Sequence, residues 1–378
     1  MANNVVTIAP GASYDDLAAR ATDVLRGGGL VVFPTETVYG IAANAASPAA
    51  MARLRAVKGR ADSQPFTVHL GNPRDAERFF ITSAPVARRF SRRCWPGPLT
   101  LVCDSPEPEK TPVGQECPPA QLGEIFSAGT IGLRAVDHPL TAAILARAGV
   151  PVVASSANRA GAPPPVELDS TVLDLAGDVE LVIDGGRARL ATASTIVRIQ
   201  GNDWSILRRG AIDERTLRRK AVSEILFVCT GNSCRSPMAE YLFRKQLAER
   251  LGTDGPGLAA RGCLVSSAGT FASSGGAISS GAREELSRRG IDGSSHRSQP
   301  VTPELVARCE RIYCMTREHR ELVLEVAPAA ADRVSLLDEA GVSDPMGGSA
   351  AEYARCAEQI DQAVARRVEE FVDEDRHW

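Results

Sequence analysis

Lysine is nearly missing from this 378-residue chain: only Lys58, Lys110, Lys220 and Lys245 occur, and arginine supplies the rest of the positive charge. A lysine inside a motif is therefore more informative than usual. Long apolar runs are also missing. The best stretches, LVVFP at 30–34 and ILFVC at 225–229, are strand-sized and far short of the ~18 residues that suggest a membrane span, so no membrane association is expected. The opening MANNVVTIAP lacks a basic stretch, apolar core and small-residue cleavage site, which makes the cytoplasm the expected location. No C-x-x-C occurs, so a zinc ribbon or finger has no ligands at the usual spacing and no protein-bound metal is expected. The nine cysteines, odd in number and scattered, fit reduced thiols rather than a disulfide framework. A net charge of −3 gives no global pull toward nucleic acid.

What is present is ordinary globular chain, with 44% apolar and 24% charged residues, long enough for two or three domains of ~150 residues each. Helical spacing from Ser13 ends at Gly27-Gly28-Gly29 before a strand at 30–33. Helices follow near 48–57, 73–80, 84–93 and 139–148. Strands are expected at 66–70, 130–134, 151–154, 181–184, 194–199 and 204–207. These alternating signals predict α/β layers and one mixed sheet. Residues 104–120 hold five prolines and no apolar period, which predicts a long loop or lid. A charged stretch at 213–223 reads as a linker between domains at 10–212 and 224–378. The second domain restarts with a strand at 225–229 and a helix at 236–250. Strands at 263–266, 311–314 and 333–336 alternate with helices at 278–289, 302–308, 317–325 and 349–372. That alternation predicts a small parallel sheet with helices on both faces.

The run Cys229-Thr230-Gly231-Asn232-Ser233-Cys234-Arg235-Ser236-Pro237 joins the first of these strands to its helix. Such a loop points successive backbone N–H groups at one centre, and the helix dipole adds positive potential there, which makes an oxyanion site. The same field favours a thiolate at Cys229, with Ser236 placed to donate to the sulfur. Arg235 supplies a planar fork for two phosphate oxygens. A lone C-x-x-x-x-x-R would be a chance spacing; strand, glycine turn, Ser-Pro and helix together are specific.

These residues resemble the low-molecular-weight protein tyrosine phosphatase family across 224–372, with SSAG at 266–269 and Asp344-Pro345 also fitting. The resemblance implies Cys229 as nucleophile, Arg235 as phosphoryl holder and Asp344 as the acid that protonates the leaving group. It implies a phosphorylated protein as substrate and no cofactor. Read alone, Asp344 is equally a turn aspartate. Ser233 is small and polar where tyrosine-specific members are often aliphatic, and Met346-Gly347-Gly348 replaces their aromatics, so an aromatic wall is expected to be missing. Both features look more like the bacterial arginine-phosphatase branch. Cys309 and Cys314, at positions that invite comparison with arsenate reductases, read as core. Cys234 is either a reversible disulfide partner for Cys229 or a buried thiol.

In the first domain FPTETVYG at 33–40, Lys58-Gly59-Arg60, PFTVHL at 65–70, TIGLR at 130–134, SSAN at 155–158, STIV at 194–197 and LRRG at 207–210 are each weak alone. Lys58-Gly59-Arg60 would be a solvated helix end and His69 a packed histidine. In this order they resemble the YrdC-like threonylcarbamoyl-AMP synthase family across about 10–212. The resemblance implies a twisted mixed sheet with a deep basic cavity that joins L-threonine, bicarbonate and ATP, with magnesium on the departing pyrophosphate. Lys58, Arg60, Thr130, Ser156, Asn158 and Arg208 would hold the nucleotide. Thr35, His69, Arg134 and Ser194 would hold threonine. The product would pass to a tRNA threonylcarbamoyl-transferase complex. The competing class is an RNA-binding YrdC-like module fused to a tyrosine phosphatase, since a basic face binds RNA through phosphates alone; no Arg/Lys tract or aromatic interleaving supports it. A carbamoyl-transfer protein of hydrogenase maturation would need C-x-x-C repeats.

Overall fold

The computed structural model describes residues 4–8, 11, 13–59, 65–79 and 85–376. Contacts divide the chain into two compact units, one up to Lys220 and one from Ala221. Among the described residues no helix is long and apolar enough to cross a membrane.

The first unit is built on an eleven-stranded mixed sheet. Its centre runs Val31–Phe33, Gly40–Asn44, Val152–Ser156, Thr67–Leu70, Thr130–Ala135, Leu99–Asp104 and Thr195–Gln200, with Asp203–Arg208 at one end. Val31–Phe33 and Gly40–Asn44 are buried along their whole length, as expected for strands covered on both faces. Helices Asp15–Arg26 and Pro139–Arg147 cover one face through Ala18, Ala21, Leu25, Leu140 and Ile144. Helix Pro48–Lys58 starts where the Ser47 hydroxyl accepts from Ala50 N and stops at Gly59, whose φ of 57° caps it left-handed. That stop leaves Lys58 on the last turn.

Four strands escaped the sequence reading, Val5–Thr7, Gly40–Asn44, Leu99–Asp104 and Phe126–Ser127. Gly40–Asn44 reads as a small-residue stretch, GIAAN, with no alternation because both of its faces are buried. Residues 104–120 are not an extended lid. They fold as short turns, Pro108–Lys110, Pro112–Glu116 and Pro119–Glu124, and bury Val113 and Cys117. Each of these turns begins with a proline, which is tolerated at a first helical position. The expected linker is largely helical over Glu214–Ala221. Asp213 accepts from Thr216 N at 2.8 Å to cap it, Leu217 is buried and Arg218 lies over the Trp204 ring.

The second unit has a four-stranded, all-parallel sheet in the order Cys263–Gly269, Ser223–Cys229, Arg311–Cys314, Val334–Leu336. Alternation within Ser223–Cys229 divides the core. Ile225 and Phe227 pack with helices Arg235–Arg250, Ser280–Arg288 and Ala350–Arg376 on one face. Leu226 and Val228 meet Pro303–Arg308 and Arg317–Val326 on the other. Phe227 stacks on Tyr313 at 5.6 Å between centroids. The sheet therefore presents the carboxyl ends of its strands, Cys229 and Gly269, on one edge, where ligands bind in open α/β sheets.

Candidate active sites

The loop after Cys229 is held in shape by its own side chains and two neighbouring segments. Asn232 sits at φ 51°, a left-handed conformation that asparagine tolerates better than most residues. Its Nδ2 donates to Ser236 Oγ at 3.0 Å and to Ser267 Oγ at 2.8 Å. Its Oδ1 accepts from Gln299 N at 2.9 Å, and its carbonyl oxygen lies 2.8 Å from His296 Nε2. The side-chain amide and the carbonyl oxygen of this fully buried residue are thus all used. Gly269 lets the adjacent strand approach: a Cβ there would lie 2.4 Å from Thr230 O and 2.8 Å from Asn232 N.

Within this frame Cys229 Sγ is 2.9 Å from Ser236 Oγ. Ser236 in turn contacts Ala268 O at 3.3 Å. Arg235, almost fully buried, donates to Val342 O and Thr230 Oγ1, each at 3.2 Å, and forms an ion pair with the half-exposed Asp344. The fold therefore joins Asp344 to the loop across more than a hundred residues, and Asp344 Oδ1 also accepts from Met346 N. Ser233 Oγ is 3.7 Å from Cys234 Sγ. The Cys234 thiol donates to Ser279 Oγ at 3.1 Å and is 3.4 Å from Tyr353 OH. Cys309 and Cys314 are wholly buried, and burial pushes both thiols up to about 12, in line with core positions.

Two residues here carried no sequence signal. His319 bridges Thr316 Oγ1 at 2.7 Å and Thr230 Oγ1 at 2.8 Å. Burial, then the Arg235 charge, lowers its titration to about 4. Phe271, 73% exposed, donates its backbone N–H to Thr230 O at 2.9 Å. An exposed aromatic residue is thus tied by its backbone to the loop, and Met346, after Asp344-Pro345, is exposed as well. A lone phenylalanine after S-S-A-G-T reads as core from sequence alone.

The first unit encloses a cavity of about 110 Å³ lined by Thr35, His69, Arg134, Ser156, Ser194 and Arg208 together with Thr67, Thr100 and others. Six of the ten residues singled out from the sequence in this half therefore face one space. Register explains part of this, since His69 and Arg134 are paired on adjacent parallel strands. Arg208 NH2 donates to Ser194 O at 2.8 Å and Ser194 Oγ at 3.0 Å. Burial, then repulsion from Arg134, lowers the titration of Arg208, as expected of two cations facing one cavity. The Thr35 hydroxyl donates to Val38 O at 2.6 Å and accepts from Thr37 N and Val38 N. His69 Nδ1 lies 3.1 Å from Thr67 O. A carbonyl only accepts, so Nδ1 carries the proton and Nε2 is left as an acceptor. Burial, then Arg134, lowers His69 to about 3 and keeps it neutral.

Arg134 is 6% exposed, its NH2 donating to Glu36 Oε1 at 2.8 Å and Thr37 Oγ1 at 2.7 Å. Its Nε is buried with no partner. An orphaned guanidinium nitrogen of a cavity-lining arginine is a ready donor for an anion. Lys58 Nζ donates to Ser156 O at 2.6 Å, to Asn158 O, and to Asn158 Oδ1 at 3.3 Å. Lysine and the S-x-N turn are thus brought together, but the ammonium grips backbone oxygens. Thr130 lies apart from the cavity lining, its hydroxyl donating to Ser127 O at 2.8 Å. Arg60 lies outside the described residues.

The small parallel sheet carries its cysteine-to-arginine loop at the carboxyl end of its first strand, running into a helix N-terminus. The large mixed sheet carries a cavity lined by two arginines, Arg134 and Arg208. The model of the low molecular weight phosphotyrosine protein phosphatase family matches residues 224–377, and that of the Sua5/YciO/YrdC family, described as telomere recombination, matches 23–210. A protein-arginine-phosphatase of Bacillus subtilis is 35% identical over 159 residues, 40% of this chain and 99% of that protein. A threonylcarbamoyl-AMP synthase of Bacillus subtilis is 32% identical over 205 residues, 54% of this chain, and the match spans 56% of that protein's length. The threonylcarbamoyl-AMP synthase of Chromohalobacter salexigens is 32% identical over 188 residues, 50% of this chain and 95% of that protein. The chain belongs to both families, joining a Sua5/YrdC domain to a low-molecular-weight phosphatase domain.

Proposed function

We propose that the first unit makes L-threonylcarbamoyl-AMP from L-threonine, bicarbonate and ATP, and that the second is a protein phosphatase acting on phosphoarginine. The small cavity lined by Arg134, whose guanidinium is held through NH2 alone, beside a neutral His69 carries the first half. Its volume of about 110 Å³ is small. That suits an amino acid and falls short of the ~300 Å³ typical of larger ligands. Threonine therefore takes the Arg134 and His69 side, carboxylate on Arg134 and its nitrogen, after losing a proton to solvent, toward His69 Nε2, while ATP reaches in from the open Ser156 and Arg208 side. Bicarbonate and the threonine nitrogen form a carbamate and release water. A carbamate oxygen then attacks the α-phosphorus, and pyrophosphate leaves. Among the described residues the cavity lining contains no carboxylate, and magnesium is taken to enter with the ATP phosphates as part of the substrate. Lys58 acts by fixing the Ser156–Asn158 turn. The activated product is fit for transfer to tRNA by a partner enzyme.

In the second unit the Cys229 thiolate attacks phosphorus, forming phosphocysteine, and Asp344 gives its proton to the departing nitrogen. Asp344 then takes a proton from the water that releases phosphate. Arg235 must exchange part of its pairing with Asp344 for phosphoryl oxygens. Small polar Ser233 and the 35% identity with a protein-arginine-phosphatase support phosphoarginine.

The test is direct. The purified chain is incubated with ATP, L-threonine and bicarbonate, and separately with phosphoarginine and phosphotyrosine peptides. Pyrophosphate release that does not require threonine, or faster turnover of phosphotyrosine, would sink the corresponding half.

A further inference from the structure

Glu36 lies inside the P-T-E-T turn, 2% exposed, where a glutamate would ordinarily seek solvent. Both of its carboxylate oxygens are occupied. Oε1 accepts from Arg134 NH2 at 2.8 Å, and Oε2 accepts from Asp137 N at 3.1 Å. Its carbonyl accepts from Leu190 N at 2.8 Å. One residue therefore ties the 34–38 turn to the end of the Arg134 strand and to the 190 loop. A buried ion pair is poor evidence of net stability, because desolvation offsets most of the attraction. Its geometric consequence here is specific. Glu36 and Thr37 take both protons of Arg134 NH2, and Nε is left as the buried donor without a partner.

We infer that Glu36 is a positioning residue that holds Arg134 by its NH2, so that the rest of the guanidinium is presented to the carboxylate of the amino acid. This rests on the reading of the cavity as the threonine site. Without Glu36, the guanidinium would be free to turn and satisfy itself on nearby oxygens such as Thr37 Oγ1, and the cavity would lose its oriented donor. Glutamine has nearly the same shape but offers one acceptor where two are required. Glu36→Gln thus loses either the grip on Arg134 or the bond from Asp137 N. Glu36 touches no substrate in this arrangement and acts only through Arg134.

The experiment is calorimetric titration of the full chain with L-threonine and, separately, with ATP. For Glu36→Gln the threonine dissociation constant should rise about tenfold, with ATP affinity within about twofold of wild type. The decisive readout is a double-mutant cycle. In an Arg134→Gln background, Glu36→Gln should have no further effect on threonine affinity, whereas a merely structural role would weaken binding additively. Glu36→Asp shortens the arm by one methylene and carries the same expectation should the amide variant not fold. Unchanged threonine affinity in Glu36→Gln, or additive losses, would overturn the inference. A wild-type chain that binds no L-threonine would instead overturn the reading of the cavity itself.

Discussion

The two sites of this chain are assembled in opposite ways. The phosphatase loop is a single run from Cys229 to Ser236, folded around Asn232 so that most of its polar groups bond within it or to the strand beside it. The cavity of the first unit collects Thr35, His69, Arg134, Ser156, Ser194 and Arg208 from separate strands and turns. The first arrangement is preformed by local geometry. The second depends on strand register and on long-range ties such as Glu36 to Arg134 and Lys58 to the Ser156–Asn158 turn. A contiguous loop should fail through chemistry when one residue changes, and a dispersed cavity through orientation.

The largest effect expected on this contrast is from Cys229→Ser, which should lower phosphatase turnover by at least about a thousandfold, since a hydroxyl is not ionised by this loop at neutral pH. L-Threonine binding should be untouched, and a parallel loss would break the separation of the sites. Asp344→Asn should slow hydrolysis about a hundredfold or more for leaving groups that need a proton. It should slow p-nitrophenyl phosphate least; an equal loss across leaving groups would mark Asp344 as a support for Arg235 only.

In the dispersed site, Lys58→Met should weaken ATP about tenfold or more, because it removes charged hydrogen bonds that hold the Ser156–Asn158 turn. Lys58→Arg, if the lysine acts by position, should recover little, since a planar fork does not match three oxygens around one nitrogen. Undiminished synthesis in Lys58→Met would remove the residue from the site. Ser233→Ile should shift the ratio of kcat/KM toward phosphotyrosine by about tenfold, the usual worth of a modest pocket change, and a wild-type preference for phosphotyrosine would end that argument.

The smallest effect is a shared one. His69 and His319 are held neutral in the folded chain, at about 3 and about 4, against ~6.5 when unfolded. As pH falls below ~6.5 the unfolded chain binds protons that the folded chain does not, so each unit loses stability toward its folded value. Thermal melts between pH 7 and 4 should show both units losing stability. His319→Gln should flatten the dependence in the second unit alone, and a melt that stabilises on acidification would contradict both assignments.

The sequence determined a good deal by itself. Cys229, Arg235 and Ser236 were legible because a strand, a glycine turn and a Ser-Pro helix start lie in one continuous run, and local geometry is what sequence encodes most directly. The parallel sheet of the second unit followed from alternating periods of two and 3.6. The strand Gly40–Asn44 did not, because burial on both faces erases alternation, and the helix Glu214–Ala221 was hidden behind a charged surface that reads as linker. Tertiary structure alone decided that Arg134 leaves one nitrogen unpartnered, that Glu36 is its buried mate, that Lys58 spends its charge on backbone oxygens, and that Phe271 stands exposed at the phosphate loop. Each of these is a relation between residues distant along the chain or a matter of exposure. A one-dimensional pattern states which side chains exist; only packing settles which hydrogen-bonding groups are left over.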